Sequence, residues 1–277
     1  MIQDIYPHRL DNQFQPDRKP EANSMIFTFR GRHVMIRELG ETFRMPVYAE
    51  LGLTDEQALT FLFEVDGTAC FYCREDIEPG DTFRYIPMNA LYESYHDPKY
   101  LTFALMTAYQ LANWYRKNRF CGCCGQETAH VPAERALRCT ACGNMIFPKV
   151  VPAVIVAITR GDELLLTRYR DRPEVPYALI AGFTEIGETL EETVRREAME
   201  ETGLRVKNIR YYGSQPWGIV DDILAAFVCE AEEGDELKVD EQELKEAVWL
   251  HRDEITIEHD DFSITNAMIV AFKENRL

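Results

Sequence analysis

The sequence predicts an α+β protein with two domains that flank a small cysteine-rich module. Its 277 residues are enough for two domains with a sizeable core in each. Short apolar runs bounded by turns alternate with helical patterns on both sides of two Cys-x2-Cys pairs, which favours mixed structure. We predict four segments: a lead-in (1–24), an N-terminal domain (25–119), the cysteine module (120–148) and a C-terminal domain (149–277).

The N-terminal part is predicted to form short strands followed by one long helix. Residues 1–24 are polar and contain prolines, which is typical of irregular chain. From Met25 to about Pro87, short apolar runs alternate with turn sequences such as Arg30-Gly31. Residues 100–119 carry apolar side chains at helical spacing. We therefore expect a small N-terminal α/β domain that ends in a helix.

The paired cysteines are predicted to bind a structural zinc ion. The four ligands are Cys121, Cys124, Cys139 and Cys142. Their spacing is close to that of a four-cysteine zinc ribbon, and Gly125 and Gly143 let the chain turn tightly after each pair. A site whose four positions are all filled leaves no place for water, so this zinc should stabilise the fold. A redox dithiol and unliganded core thiols are the alternatives.

The other four cysteines are predicted not to bind metal. Cys123 lies inside the first pair and is interpreted as a bystander. Cys70 and Cys73 belong to an apolar run that favours a buried strand, and Cys229 lies in another apolar strand.

The charge balance limits the range of partners. Lysine and arginine number 30 and aspartate and glutamate 47, which gives a net charge of −17. Such a chain is poorly suited to a broad nucleic-acid surface, although a local basic pocket is compatible with it. No apolar run approaches the length of a membrane span, and the N-terminus lacks a signal-peptide pattern. We therefore expect a soluble cytoplasmic protein without membrane contacts.

The C-terminal domain is predicted to alternate strands and helices. A hairpin of buried strands is expected around Gly161-Asp162. The predicted strands are 152–158, 163–167, 206–214, 223–230 and 247–250, and the predicted last helix is 263–275.

Another helix is predicted between Thr189 and Gly203. Thr189 and Glu192 form a capping-box pattern, and Gly203 is a typical C-terminal stop. At about 100° per residue, Glu197 and Glu201 fall on the same stripe as the apolar residues of this helix.

Two glutamates are therefore predicted on a face that should be buried. Desolvation and mutual repulsion oppose the ionisation of buried carboxyl groups, and a hard divalent cation removes that conflict. Magnesium and manganese favour carboxylate oxygens, so we predict a metal site here. The alternative is a solvated acidic face, which suits Glu191 and Glu192.

The segment from 182 to 204 resembles a known family. Its fixed positions are Gly182, Glu188, Arg196, Glu197, Glu200, Glu201 and Gly203, with apolar Ala198 and Leu204. They match the Nudix box, G-x5-E-x7-R-E-U-x-E-E-x-G-U, so the chain is similar to the Nudix hydrolases. The resemblance implies a C-terminal α/β/α sandwich and hydrolysis of a nucleoside-linked diphosphate.

Two further features resemble the bacterial NADH pyrophosphatases within that family. A four-cysteine ribbon precedes the box, and Ser214-Gln215-Pro216-Trp217 follows Leu204 at the expected distance. The resemblance implies a Nudix-like N-terminal domain and a homodimer. The family sequence S-Q-P-W-P-F-P-x-S-L-M is altered here from Gly218 to Asp222, which leaves the preferred substrate open.

The resemblance also assigns roles to single residues. It implies magnesium or manganese ligands at Glu197, Glu200, Glu201 and Glu243. It implies substrate contacts by Phe147, Phe183, Ser214, Gln215, Pro216 and Trp217. Core packing is the alternative for either phenylalanine. We interpret Arg196 and Glu188 as a pair that braces the loop against the helix, and Gly182 as the point where the strand bends into the loop.

The implied reaction is hydrolysis of NAD(H) to nicotinamide mononucleotide and AMP. Glu200 is expected to act as a further metal ligand or as the base for the attacking water. The same chemistry would remove an NAD cap from RNA. One alternative is a Nudix hydrolase for ADP-ribose or another nucleoside diphosphate derivative, which the altered residues favour. The other is a non-catalytic ligand-sensing regulator, which the complete set of box glutamates disfavours.

Overall fold

A computed structural model describes residues 1–53, 55–94, 97–170 and 177–277. The chain divides into two compact units, and both mix helices with strands, which confirms the predicted α+β class. One unit comprises Gln3–Lys149 with Gly218–Asp221, and the other comprises Met1–Ile2, Val150–Trp217 and Asp222–Leu277.

Among its described residues, the N-terminal unit contains three small sheets and three α-helices. Its strands are β1 (Leu10–Asp11), β2 (Met25–Phe27), β3 (Phe29–Arg30), β4 (His33–Leu39), β5 (Thr42–Arg44), β6 (Leu59–Val65), β7 (Thr68–Cys73), β8 (Arg84–Pro87), β9 (Thr128–His130), β10 (Leu137–Cys139) and β11 (Met145–Ile146). Its helices are α1 (Tyr48–Leu51), α2 (Met88–Ser94) and α3 (Lys99–Lys117). The sheet orders are β1-β6-β7-β2 and β11-β10-β9, and β4 pairs with β3, β5 and β8 in the third sheet.

Local sequence explains much of this unit. Gly31 adopts a φ of 61° between β3 and β4, as the predicted turn requires. The predicted helix at 100–119 is found as α3, which buries Leu105 and Trp114 in the same core as Phe63 of β6. The lead-in is not wholly irregular, because β1 pairs with β6.

The four paired cysteines form one compact cluster. Their sulfur atoms all lie within 4.8 Å of one another. Gly125 and Gly143 have φ values of 73° and 76°, and their N–H groups donate to the carbonyl oxygens of Cys121 and Cys139. The glycines therefore provide the tight turns that the spacing predicts.

The polar surroundings of the cluster suit a bound cation. The N–H groups of Cys123 and Cys124 lower the pKa of Cys121 to about 6. At Cys142 the Asn144 N–H lowers the pKa, but hydrogen bonds with the neighbouring sulfurs outweigh it and raise the pKa to about 12. A bound divalent cation would replace the shared thiol protons and allow all four sulfurs to be thiolates without mutual repulsion. The cluster thus fits structural zinc.

The other cysteines lie where the sequence predicts them. Cys70 and Cys73 are buried in β7, and Cys229 is buried in the C-terminal sheet. Cys123 is exposed and does not belong to the four-sulfur cluster.

In the part of the chain that the structure describes, the C-terminal unit has one six-stranded mixed sheet between two α-helices. Its strands are β12 (Val151–Arg160), β13 (Glu163–Tyr169), β14 (Ile180–Phe183), β15 (Val206–Trp217), β16 (Asp222–Ala231) and β17 (Leu244–His251), and its helices are α4 (Leu190–Thr202) and α5 (Ile264–Lys273). The order is β15-β16-β12-β13-β17, with β14 paired to β12. The β12–β16 pair is parallel, and the other pairs are antiparallel.

Alternating side chains of β12 pack on opposite faces of this sheet. Val154 and Val156 contact the cluster that includes α4, whereas Ile155 and Ala157 contact the cluster that includes α5. This confirms the predicted α/β/α sandwich. The predicted hairpin around Gly161 is also present, whereas the sequence does not predict β14. Within the described ranges, no helix has the length and apolar character required to cross a membrane.

Replacing Cys121 by serine should reduce zinc content and stability together. Loss of one of four ligands weakens metal binding, and we expect the Tm to fall by roughly 5 °C or more. Elemental analysis and thermal unfolding measure the two effects. Cys123→Ser is the matched control and should behave like the wild type. Unchanged zinc content in Cys121→Ser would contradict the structural site.

Candidate metal and phosphate site

The two ends of α4 are defined by local hydrogen bonds. The Glu192 N–H donates to Thr189 Oγ1 at 3.2 Å, and the Thr189 N–H donates to Glu192 Oε2 at 2.7 Å. Gly203 has a φ of 71°, and its N–H donates to the Met199 carbonyl. The predicted capping box and C-terminal stop are confirmed, so the register of the helix is fixed at both ends.

One face of α4 buries two carboxylates among apolar residues. Val194 and Ala198 are fully buried, Glu197 is 8% exposed and Glu201 is 2% exposed. This confirms the buried stripe that helical spacing predicts.

Arg196 ties the helix to the loop before it. Its Nε and Nη2 atoms donate to the two carboxylate oxygens of Glu188 at 2.7 and 2.9 Å. Nη1 donates to Glu197 at 2.6 Å and to Glu200 at 3.1 Å, and Nη2 also donates to the Phe183 carbonyl at 2.9 Å. All five N–H groups of the guanidinium are thus used, which agrees with the predicted bracing role.

Glu188 is the fixed anion of this loop. The Arg196 side chain, the Glu185 N–H and the Thr193 hydroxyl all donate to it and hold its pKa at about 2. Glu188 therefore stays ionised and acts as an anchor for the arginine.

Gly182 is required for space, and our interpretation of it as a bend is wrong. It lies in β14 opposite Val154, and its φ is outside the left-handed region. A Cβ atom at this position would lie 2.0 Å from Glu197 Cδ. The absent side chain makes room for a carboxyl group against the strand.

Burial and mutual repulsion act on the two stripe glutamates. Desolvation raises the pKa of Glu197, although its hydrogen bond with Arg196 opposes the shift. Desolvation first, and then the charges of Glu197 and Glu243, raise the pKa of Glu201 to about 8. Glu201 Oε1 is buried and has no hydrogen-bond partner among the described residues. These are the properties of a carboxylate group that can hold a divalent cation.

Glu243 and Tyr169 complete this side of the site. Glu243 directly precedes β17, and with Tyr169, Arg170 and Gln242 it lines a cavity of about 370 Å³. Tyr169 Oη lies 3.4 Å from Glu201 Oε2. The sequence does not predict this tyrosine as a site residue, because it lies 32 positions from Glu201 and belongs to no motif.

The glutamates form a looser set than the cysteines. Among the described residues, only the four-cysteine cluster brings three or more ligand atoms within 4.8 Å of one another. The side chain of Glu200 is 60% exposed, and its carboxylate accepts from Arg196. Glu243 is exposed as well. The set is therefore open towards solvent on the side of these two residues.

The two predicted aromatic contacts are on surfaces. Phe183 is 53% exposed and Phe147 is 56% exposed, each within its own unit. Core packing, the alternative for both, is therefore excluded. Contact with a substrate ring stays a prediction for each.

The Ser214–Trp217 segment forms the end of β15. Gln215 is fully buried; its amide nitrogen donates to the Phe262 carbonyl at 2.8 Å, and its amide oxygen accepts from the Ile264 N–H at 2.7 Å. Gln215 therefore holds the start of α5. Trp217 packs edge-on against Phe262 with ring centroids 5.9 Å apart. Substrate contacts by Ser214, Gln215, Pro216 and Trp217 stay predictions.

Of the altered residues after Trp217, those from 218 to 221 form a turn, and Asp222 begins β16. A Cβ atom at Gly218 would lie 2.3 Å from the Met106 carbonyl oxygen, so packing requires glycine here. Asp221 has a φ of 66°, and Lys117 lies 3.5 Å from its carboxylate. Local packing and turn geometry thus account for two of the departures from the family sequence.

Comparison with known families agrees with this architecture. Residues 149–269 match the NUDIX domain, and residues 116–147 match the NADH pyrophosphatase zinc ribbon domain. The chain therefore contains a Nudix domain preceded by a zinc ribbon of the NADH pyrophosphatase type.

Named relatives are similar to about half of this chain. A protein of Pectobacterium carotovorum subsp. carotovorum (strain PC1), named NAD-capped RNA hydrolase NudC, is 44% identical over 146 residues, 53% of this chain and 56% of that protein. A protein of the same name from Salmonella paratyphi C (strain RKS4594) is 42% identical over 148 residues, 53% and 57% of the two chains. The matched region thus spans a little over half of these relatives. A solved NUDIX hydrolase from Nitrosomonas europaea aligns with a TM-score of 0.48 and 22% identity, over 56% of this chain and 91% of that chain.

Replacing Gly182 by alanine should destabilise the Nudix domain. The new methyl group would displace the Glu197 carboxyl and its bond with Arg196, and overpacking of this kind costs about 1–3 kcal/mol. Urea unfolding measures the change in the free energy of unfolding. Gly213→Ala is the matched control in β15, where the nearest atom to an added Cβ is Ile264 Cδ1 at 3.9 Å. Equal stability of the two variants would refute the space requirement.

Stability should depend on pH through Glu201. Its pKa of about 8 lies above the ordinary value of 4.5, so the native state keeps a proton that the unfolded state releases. In buffer without magnesium or manganese, the free energy of unfolding should fall as pH rises from about 4.5 to about 8. Each pKa unit is worth about 1.4 kcal/mol, so the loss is on the order of several kcal/mol.

Urea unfolding at several pH values measures this slope. Glu201→Gln removes the titrating group, so its free energy of unfolding should change little between about pH 4.5 and pH 8. In the wild-type protein, added magnesium should restore the stability that is lost at high pH. A wild-type slope in Glu201→Gln would show that another group is responsible.

Proposed function

We propose that this protein is a metal-dependent hydrolase of the diphosphate bond of NAD(H), with nicotinamide mononucleotide and AMP as products. The observation that carries the proposal is the pair of buried glutamates, Glu197 and Glu201, on the face of α4. Two carboxylates do not persist together in such a place without positive charge beside them. Arg196 contacts Glu197, but Glu201 has no cationic partner among the described residues.

Magnesium or manganese is the proposed cofactor at this site. Glu197, Glu201 and Glu243 would hold the ion, with Glu200 as a further ligand, because all four offer hard oxygen donors. The open Oε1 of Glu201 fits this assignment. When bound, such an ion activates water and neutralises charge on the phosphate oxygens.

The chain's own residues supply positioning and proton transfer. Arg196 and Glu188 hold the loop that follows β14 against α4, so the glutamates of the Nudix box keep fixed positions relative to this loop. Glu200 is the exposed carboxylate of the set and is the candidate to accept the proton of the attacking water. Phe183 and Phe147 are proposed to stack on the rings of the substrate.

NAD-capped RNA is the second proposed substrate, because the bond to be cleaved is the same. The names of the relatives support it. The net charge of −17 gives no general attraction for RNA, so binding would have to be local.

ADP-ribose or another nucleoside diphosphate derivative is the alternative substrate. It is favoured by the acidic residues Asp221 and Asp222, which replace neutral family residues. A non-catalytic ligand-sensing regulator is the alternative of another class, and metal-dependent hydrolysis of any dinucleotide would exclude it. A homodimer, which the resemblance implies, and a cytoplasmic location also stay predictions.

The proposal is tested by turnover of the purified protein with magnesium or manganese. The substrates are NADH, NAD, ADP-ribose, dinucleoside polyphosphates and NAD-capped RNA. We expect the highest kcat/KM for NADH or NAD among the free nucleotides, with nicotinamide mononucleotide and AMP as the products. A higher kcat/KM for ADP-ribose would select the alternative substrate.

Glu201→Gln should lower turnover at least a hundredfold in the same assay, as other metal and electrostatic groups do. Glu191→Gln is the matched control, since Glu191 lies on the exposed face of α4, and it should leave the rate unchanged. More than about a tenth of the wild-type rate in Glu201→Gln would remove this residue from the mechanism.

A further inference from the structure

Tyr169 is brought next to the metal site by the end of β13. Its ring packs against the same apolar cluster as Leu165 and Val194, on the face of the sheet that α4 covers. The pairing of β13 with β17 is irregular between Arg168 and Tyr169. Irregular pairing of this kind redirects a side chain, and it often occurs beside active sites.

The hydroxyl group of Tyr169 has three polar neighbours within hydrogen-bond distance among the described residues. The Ala181 N–H donates to it at 3.1 Å, which fixes the oxygen against β14. Oη lies 3.4 Å from the Leu179 carbonyl oxygen and 3.4 Å from Glu201 Oε2. The hydroxyl has a single proton, so it can donate fully to only one of these two acceptors. With a cation bound, the Glu201 carboxylate is ionised and is the stronger acceptor, so the hydroxyl donates to Glu201 Oε2.

The two oxygens of Glu201 are consequently not equivalent. Oε2 faces the Tyr169 hydroxyl, whereas Oε1 is buried without a hydrogen-bond partner among the described residues. Rotation of the carboxyl group about its Cγ–Cδ bond would exchange the two oxygens. A hydroxyl that is itself fixed by a backbone N–H opposes that rotation and leaves Oε1 available.

We propose that Tyr169 is a positioning residue that orients the Glu201 carboxylate, with Oε1 directed to the divalent cation. The inference rests on the proposed function, because it requires a cation at Glu201. It extends the site beyond the Nudix box, from helix α4 to strand β13.

A purely structural role for Tyr169 makes a different prediction. The hydroxyl also satisfies the Ala181 N–H, so its loss would lower stability in either case. A structural role leaves metal affinity unchanged, whereas a positioning role lowers it. Tyr169→Phe separates these effects, because it keeps the ring in the core and removes only the hydroxyl.

The test measures Mn²⁺ binding by the full-length, zinc-loaded protein, with electron paramagnetic resonance of free Mn²⁺ as the readout. The wild type, Tyr169→Phe and Glu201→Gln are compared, with Tyr211→Phe as the matched control at a 61% exposed tyrosine. We expect the Mn²⁺ Kd to rise about tenfold or more in Tyr169→Phe and to stay unchanged in Tyr211→Phe. The metal concentration for half-maximal turnover should rise in parallel, and saturating metal should restore most of kcat.

The outcomes separate this inference from the proposed function. Wild-type Mn²⁺ affinity in Tyr169→Phe would overturn the inference, whatever the change in Tm. If Glu201→Gln binds Mn²⁺ as tightly as the wild type, the cation is not at Glu201 and the proposed function fails with it. Tyr169→His keeps a ring with an N–H donor and should bind Mn²⁺ more tightly than Tyr169→Phe. If Tyr169→His binds Mn²⁺ no more tightly than Tyr169→Phe, that result would also count against the inference. If Tyr169→Phe does not fold, the Mn²⁺ affinity of Tyr169→His is compared with that of the wild type instead.

Discussion

The burial of two carboxyl groups on one face of α4 is the constraint on which the Nudix domain depends. Glu197 and Glu201 are both under a tenth exposed and lie one helical turn apart. Each loses hydration on folding, and the charge of Glu197 raises the cost of ionising Glu201. A site of this kind is stable only if its neighbours supply positive charge, hydrogen bonds and space.

The fixed residues of the box meet these needs separately. Arg196 places a positive charge beside Glu197. Its guanidinium is itself held by Glu188, so it cannot turn away towards solvent. Gly182 supplies space, because any side chain there would overlap the Glu197 carboxyl. Glu201 lies 3.4 Å from the Tyr169 hydroxyl but has no cationic partner within the described residues, so charge compensation on this side is incomplete. The divalent cation of the proposed function would complete it.

The parts of the site that depend on local periodicity could be predicted from the sequence. The helix between Thr189 and Gly203, its capping box and its buried stripe follow from spacing alone, and all are present. The parts that depend on contacts between distant segments could not. The need for Gly182 and the approach of Tyr169 to α4 both arise only when the sheet is assembled.

The same distinction applies to the strands. β12, β13, β16 and β17 carry apolar runs long enough to be predicted, whereas β15, predicted at 206–214, extends to Trp217. β14 has only four residues, including Ala181 and Gly182, and such a sequence shows neither alternation nor β-branched enrichment. Its pairing with β12 is a tertiary effect.

The two polar clusters of the chain differ in whether their ligand sets are closed. The four cysteine sulfurs lie within 4.8 Å of one another, which suits a tetrahedral ion with no position left for water. The glutamate set is wider, and Glu200 and Glu243 are exposed beside the buried pair. An open set leaves room for water and a phosphate oxygen next to the ion, which hydrolysis requires. Stability is therefore expected from the sulfur cluster, and chemistry from the carboxylates.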